Sequence, residues 1–260
     1  MKTIFTLAGI AIIVCGLAAA QDSSGRVVVP APPGGHARQV NVHVLNNSIT
    51  VKTYGGSEVI VEGGSRPARS ADGMRRLDGP RGLAIDEADN IIAIHADPTL
   101  PGPLTITVPT EISVSLHSLN GNLSVDGVHG EVDTDTLSGR TELTGISGTV
   151  VAHALNGAIR VIMDRVDPSK PLSFSSLNGS IDVTLPADVK ANVMFKTMRS
   201  DIYSDFEIER GGSASMAKDN SGGLRFRLRF DNNFDGVING GGVLATFHTI
   251  HGTIYLRKKK

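Results

Sequence analysis

From Gln39 onward, apolar residues occupy alternate positions in short runs, and turn-forming residues separate the runs. Val40, Val42 and Val44 alternate with polar neighbours, the signature of a strand with one buried face. Asn46-Asn47 ends that run. Ile49, Val51 and Thr53 predict a second strand, Gly55-Gly56 a turn, and Val59 and Val61 a third strand. Strands are predicted again over 83–86 and 91–95, on either side of a hairpin-type turn at Asp89-Asn90. Leu104, Ile106 and Val108 run up to a corner at Pro109, and Ile112, Val114 and Leu116 follow it.

The pattern then becomes periodic. Asn120-Gly121, His129-Gly130, Ser138-Gly139, Ser147-Gly148 and Asn156-Gly157 stand nine residues apart. Short strands are predicted after or around these pairs, over 123–125, 132–134, 141–143, 150–152 and 159–161. A fixed short period is the mark of a repeat architecture. Nine is odd, while side chains on a strand alternate with a period of two, so inward parity has to reset at every x-Gly pair. A corner does this. Glycine suits a corner because it tolerates positive φ and close backbone approach, and Asn120 and Asn156 suit it because asparagine accepts the left-handed region. Two nine-residue segments make one coil of about eighteen residues with two faces, and successive coils lie about 4.8 Å apart. The expected fold is therefore all-β, a β-solenoid or β-helix-like stack of short strands.

The period loosens further on. Residues 176–183 repeat 118–125 almost position by position, after an interval in which 164–171 reads as an inserted loop. Residues 197–202 are a degenerate copy and 249–256 the last one. Segment 63–82, with five arginines, and segment 211–223 read as exposed loops. Leu224, Phe226, Leu228 and Phe230 alternate with arginines as a strand, and Gly240-Gly241-Gly242 reads as a tight crossing.

The first twenty residues follow another logic. Lys2, an apolar run over 4–17 and Ala18-Ala19-Ala20 form a secretory signal peptide with cleavage near Ala20. Residues 21–38, rich in proline, glycine and serine, read as a disordered linker; 39–257 form the ordered domain and 258–260 a basic tail. Cys15, the single cysteine, lies in the signal, so the exported chain holds itself together without disulfides. Net charge is −1, which gives no field directed at nucleic acid. The chain has no tryptophan and 4% aromatics, a composition poor in sugar-stacking faces. It has 30 glycines, which suits a solenoid that turns many corners.

The units 118–125, 176–183 and 249–256, the glycine run at 240–242 and Val108-Pro109 ahead of the first unit resemble the bacterial "putative adhesin" family, a domain-of-unknown-function group with repeated T/S-x-N-G-x-I-x-V units. His251 in place of asparagine and Arg199-Ser200 in place of Asn-Gly depart from that pattern. The resemblance covers residues 40–256. It implies an exported β-solenoid with an adhesin-like role and no established catalytic residues.

Candidate chemistry is sparse. His117, Asp135 and His153 are eighteen residues apart and should stack in one outward column, since Leu116 and Ala152 beside them face inward. Imidazole and carboxylate suit transition metals. The outer two histidines would stand about 10 Å apart, however, so the column reads as a solvated polar strip. Asp126, Asp133 and Asp135 lack the doubled glycines of a calcium-binding roll. No nucleophile elbow, zinc-protease, phosphate-loop or dinucleotide motif is present. No catalytic, cofactor-binding or metal residue is assigned, and no cofactor is expected. The reading is a non-enzymatic exported protein of the periplasm, cell surface or medium, adhesin-like, binding an envelope protein or surface glycan through its faces. Nucleic acid is not expected as a partner. The basic C-terminus, Arg257 to Lys260, would cap the last edge strand and offers peripheral membrane contact. An envelope-stress or assembly scaffold is one alternative, and a polysaccharide-active β-helix enzyme another.

Overall fold

The computed structural model describes residues 20–22, 26–31, 38–63, 82–98, 100, 102–199, 201–210 and 233–260. The signal segment 1–19, most of the arginine-rich loop, the 211–223 loop and the strand read at 224–230 lie outside the described residues. All regular structure among the described residues is β. The strands are β1 (Ala20–Asp22), β2 (Arg26–Val29), β3 (Gln39–Val44), β4 (Ile49–Tyr54) and β5 (Val59–Glu62). Then come β6 (Leu83–Ala88), β7 (Ile91–Ala96), β8 (Leu104–Pro109), β9 (Ser113–Asn120) and β10 (Leu123–Asp126). β11 (His129–Ser138), β12 (Thr141–Asn156), β13 (Ile159–Val166), β14 (Leu172–Asn178) and β15 (Ile181–Leu185) follow. The remainder are β16 (Ala191–Arg199), β17 (Ile202–Ser204), β18 (Glu209–Arg210), β19 (Asn233–Ile238), β20 (Val243–His251) and β21 (Ile254–Lys258).

The strands pair in parallel along two faces. The first runs β7, β3, β9, β11, the second half of β12, β14, β20, β16. The second runs β8, β4, β10, the first half of β12, β13, β15, β21, β17. In the central coils the register step is the expected eighteen residues, with Leu123 opposite Thr141 and Thr141 opposite Ile159. Parity resets as argued: Val114, Leu116 and Ser118 are buried before Gly121, and Leu123 and Val125 after it. The predicted strands are longer than their apolar centres. β12 runs sixteen residues through a corner, with register shifts between Leu143 and Ser147.

Inward residues stack on like residues and share one core. One column runs Ile94, Val42, Leu116, Thr134, Ala152, Phe174, Phe247, Phe195. Its three phenylalanines are fully buried and stack at 5.2 and 4.9 Å between ring centroids. Thr134 and Thr141 are also fully buried, and their hydroxyls find no hydrogen-bond partner among the described residues. Apolar neighbours explain it: Leu116 and Ala152 flank Thr134, and Leu123 and Ile159 flank Thr141.

The corners explain the S/T-x-N-G unit. A Cβ on Gly157 would lie 1.8 Å from the Gly139 carbonyl oxygen, and one on Gly179 2.1 Å from that of Gly157. At these positions successive corners stack too closely for a side chain on the upper one. The buried hydroxyl of the unit donates to the same corners: Ser176 to the Gly157 carbonyl at 2.9 Å, Thr249 to that of Gly179 at 3.4 Å, Ser118 to that of Asn47 at 3.3 Å. The asparagines form an amide ladder, Asn120 to Asn46 at 3.2 Å and Asn178 to Asn156 at 2.8 Å. Left-handed backbone at non-glycine residues occurs at Asp89, Asn90 and Asn239 and not at Asn120 or Asn156. The amide ladder, and not tolerance of positive φ, is what these two asparagines supply.

Order in space departs from order in sequence. The coil β3–β4 lies between β7–β8 and β9–β10, and β20–β21 lies between β14–β15 and β16–β17. β21 therefore has β15 on one side and β17 on the other, so the basic C-terminus does not cap an edge. Its cations are engaged locally: Arg257 Nε binds Asp182 at 2.8 Å and Lys259 Nζ binds Asp164 at 2.7 Å. Antiparallel strands close the parallel stack instead. β6 lies on β7, β5 with β2 on β8, and β19 on β16. Order also begins before Gln39. Residues expected to be linker form β2, whose Val27 and Val29 are buried.

Candidate functional site

The first face carries the residues with reactive side chains. At one outward position the column reads His95, His43, His117, Asp135, His153, Ser175, His248, Lys196. The structure thus brings together His117, Asp135 and His153 as the eighteen-residue spacing requires. It adds His95, His43 and His248, which sequence spacing missed. Their coils are separated from the others by insertions or by the exchange of coil order, so no fixed period connects them. Their shared signal is local: each directly follows an inward residue of its own strand, Ile94, Val42 and Phe247, as His117 follows Leu116.

The rings are regular. His43 stacks on His117 with centroids 4.7 Å apart and planes 3° from parallel, and on His95 at 5.4 Å and 13°. His43 is thereby covered on both ring faces although its edge reaches solvent. That desolvation, and then the charges of His117 and His95 beside it, hold its pKa below the ordinary 6.5. His117 Nδ1 lies 3.9 Å from Asp135 Oδ2, and its Nε2 lies 3.1 Å from Ser115 Oγ, two residues earlier on β9. His248 Nδ1 is 3.4 Å from Ser175 Oγ.

Two residues beyond the imidazole column runs a column of leucines. Leu45, Leu119, Leu137 and Leu155 are 39–46% exposed, which is high for large apolar side chains in register over four coils. Leu177, Ile250 and Met198 continue the position on β14, β20 and β16. The two columns line an open groove of about 730 Å³, from His95 and Leu45 at one end to His153 and Leu155 at the other. A groove of that size takes a small molecule or a short extended chain.

Ser115, His117 and Asp135 have the composition of a hydrolase triad, but not its geometry. The Nδ1 to Oδ2 separation exceeds hydrogen-bond length. Ser115 and His117 sit side by side on a strand paired on both sides, so its backbone N–H groups are spent on the ladder and none is left for an oxyanion. Asp126 and Asp133 do not join Asp135. Asp126 lies on β10 in the second face, and Asp133 stands one outward position earlier along β11.

Residues 102–228 match the model of the Toastrack DUF4097 family. The match takes in the units at 118–125 and 176–183, and it bears out the resemblance drawn from them to a domain-of-unknown-function family of β-solenoid type. Two solved structures are similar to the chain. One is described as a putative cell adhesion protein from Clostridium sporogenes ATCC 15579, at 11% identity and a TM-score of 0.47, covering 90% of this chain and 99% of that one. The other is described as a putative adhesin from Bacteroides fragilis NCTC 9343, at 11% identity and a TM-score of 0.40, covering 93% of this chain and 100% of that one. No curated protein matches the chain.

Proposed function

We propose that this chain is a non-enzymatic exported protein of the cell envelope or surface, adhesin-like, which binds a partner through the first face of its stack. The observation that carries the reading is the register of Leu45, Leu119, Leu137 and Leu155 along the groove. Four exposed leucines in line are an apolar strip that a soluble stack gains nothing by displaying. The signal-like segment at 1–20 supports export. The unformed Ser115–His117–Asp135 triad supports a binding role over hydrolysis.

The test replaces Leu119 and Leu137 together with aspartate. Both point outward, so the fold should survive, and far-UV circular dichroism checks that it does. Capture of envelope partners by crosslinking on whole cells should fall at least tenfold for the variant. Unchanged capture would reject the groove as the binding face. Turnover of a polysaccharide panel by the purified protein would reject the non-enzymatic reading.

A further inference from the structure

Five of the chain's eight histidines, His95, His43, His117, His153 and His248, stand in one outward column, with Asp135 among them. Stacking alone does not account for the arrangement around His117. Its Nε2 faces the hydroxyl of Ser115 at 3.1 Å, and its Nδ1 faces Oδ2 of Asp135 at 3.9 Å. In the tautomer whose Nε2–H donates to Ser115, Nδ1 carries no proton and stands 3.9 Å from a carboxylate oxygen. Two acceptors then oppose each other across a gap too long for a hydrogen bond and lined by nothing positive on β9 or β11.

We propose that this gap binds one divalent d-block cation of the Zn²⁺, Co²⁺ or Ni²⁺ kind. His117 Nδ1 and Asp135 would be its first ligands and His43 a third. An ion bonded at about 2.0–2.2 Å to nitrogen and to oxygen spans about 3.4 Å between them in tetrahedral geometry. The observed 3.9 Å closes to that by a small rotation of either side chain. Ser115 holds the far ring nitrogen, the outer-shell contact that fixes the tautomer of a ligating histidine. Among the described residues no three such side chains converge on a point as they stand. His43 completes the set by turning its ring out of the stack on His117, where the two rings lie 4.7 Å apart. Water fills the remaining positions, because the site opens into the groove.

His129 provides an internal control. Its Nδ1 lies 3.0 Å from Glu111 Oε1, so that histidine–carboxylate pair is already closed by a hydrogen bond and leaves no gap. The ladder site should bind an ion and the closed pair should not. This inference does not depend on the groove's role in partner binding.

The experiment titrates the metal-free protein with Co²⁺ alone and reads the visible d–d absorption, with Zn²⁺ displacement followed by calorimetry. One ion per chain is expected. H117Q and D135N should each weaken binding at least tenfold and abolish the band. H43Q should weaken it severalfold and change the band's intensity. H129Q should bind as the unaltered protein does. All variants are compared by thermal melting without metal; D135N, at an exposed carboxylate, keeps the test decisive should H117Q fold poorly. Absence of saturable one-to-one binding would overturn the proposal. So would unaltered affinity in D135N, or equal losses in H129Q and H117Q.

Discussion

Gly157 shows how little room the architecture leaves at single residues. Its missing Cβ would sit 1.8 Å from a backbone carbonyl of the neighbouring coil, which cannot move without parting two ladders. Gly157→Ala should therefore cost about 3 kcal/mol, read as a lower urea midpoint. Gly55, with open space where a Cβ would go, should accept alanine with a midpoint close to the original. At this scale the sequence was legible in part. The x-Gly pairs announced corners, and glycine at each of them was readable as a need for close approach. What they approach was not readable, because the contact is between corners in different coils. The same holds for the hydroxyl of each S/T-x-N-G unit, whose partner is a carbonyl eighteen or more residues away.

Strands stack equivalent positions on one another, so a titratable side chain on a column has its nearest charged neighbours on the flanking rungs. His43 is the element where this has a measurable consequence. It is bracketed by His95 on β7 and His117 on β9; further along the column stand Asp135 on β11, His153 on β12, His248 on β20 and Lys196 on β16. Folding lowers its pKa, first by desolvation and then by the flanking imidazoles. The unfolded chain takes up this proton near the ordinary 6.5, and the folded chain only at lower pH. The stability tied to His43 is thus intact above 6.5. It is lost as pH falls below that value and levels off once the folded form is protonated too. Denaturant midpoints measured from pH 7.5 down to 5 should fall over this range, and His43→Asn should make the fall shallower. A variant with the same pH slope as the original would show that the stack does not govern it.

The whole molecule is knit by the exchange of coil order at both ends. In a consecutive solenoid, deleting the last coil trims the stack and leaves the rest with a new edge. Here β20 and β21 lie inside the stack, with β16 and β17 beyond them. Truncation after Asn239 should therefore strip the last coil of its partner as well. It should also expose the Phe174 and Phe195 rings that Phe247 separates. The expected result is protease sensitivity spreading back through residues 191–210 and loss of a single cooperative melt. A truncated chain that still melts cooperatively and resists cleavage over 191–204 would contradict the interlocked order.

The sequence alone determined the class of fold, the eighteen-residue coil, the inward and outward parity of the central strands and the His117–Asp135–His153 column. Each follows from local alternation and a fixed period, which are properties of the chain read in order. Tertiary structure alone decided which coils are neighbours at the two ends. It thereby brought His43 and His95 beside His117, placed the C-terminal strand inside the stack and turned β2 from linker into cover for an edge. Strand pairing is a long-range choice made by whichever faces bury the most apolar surface together and leave the fewest open edges. No spacing within one chain encodes that choice when insertions have broken the period.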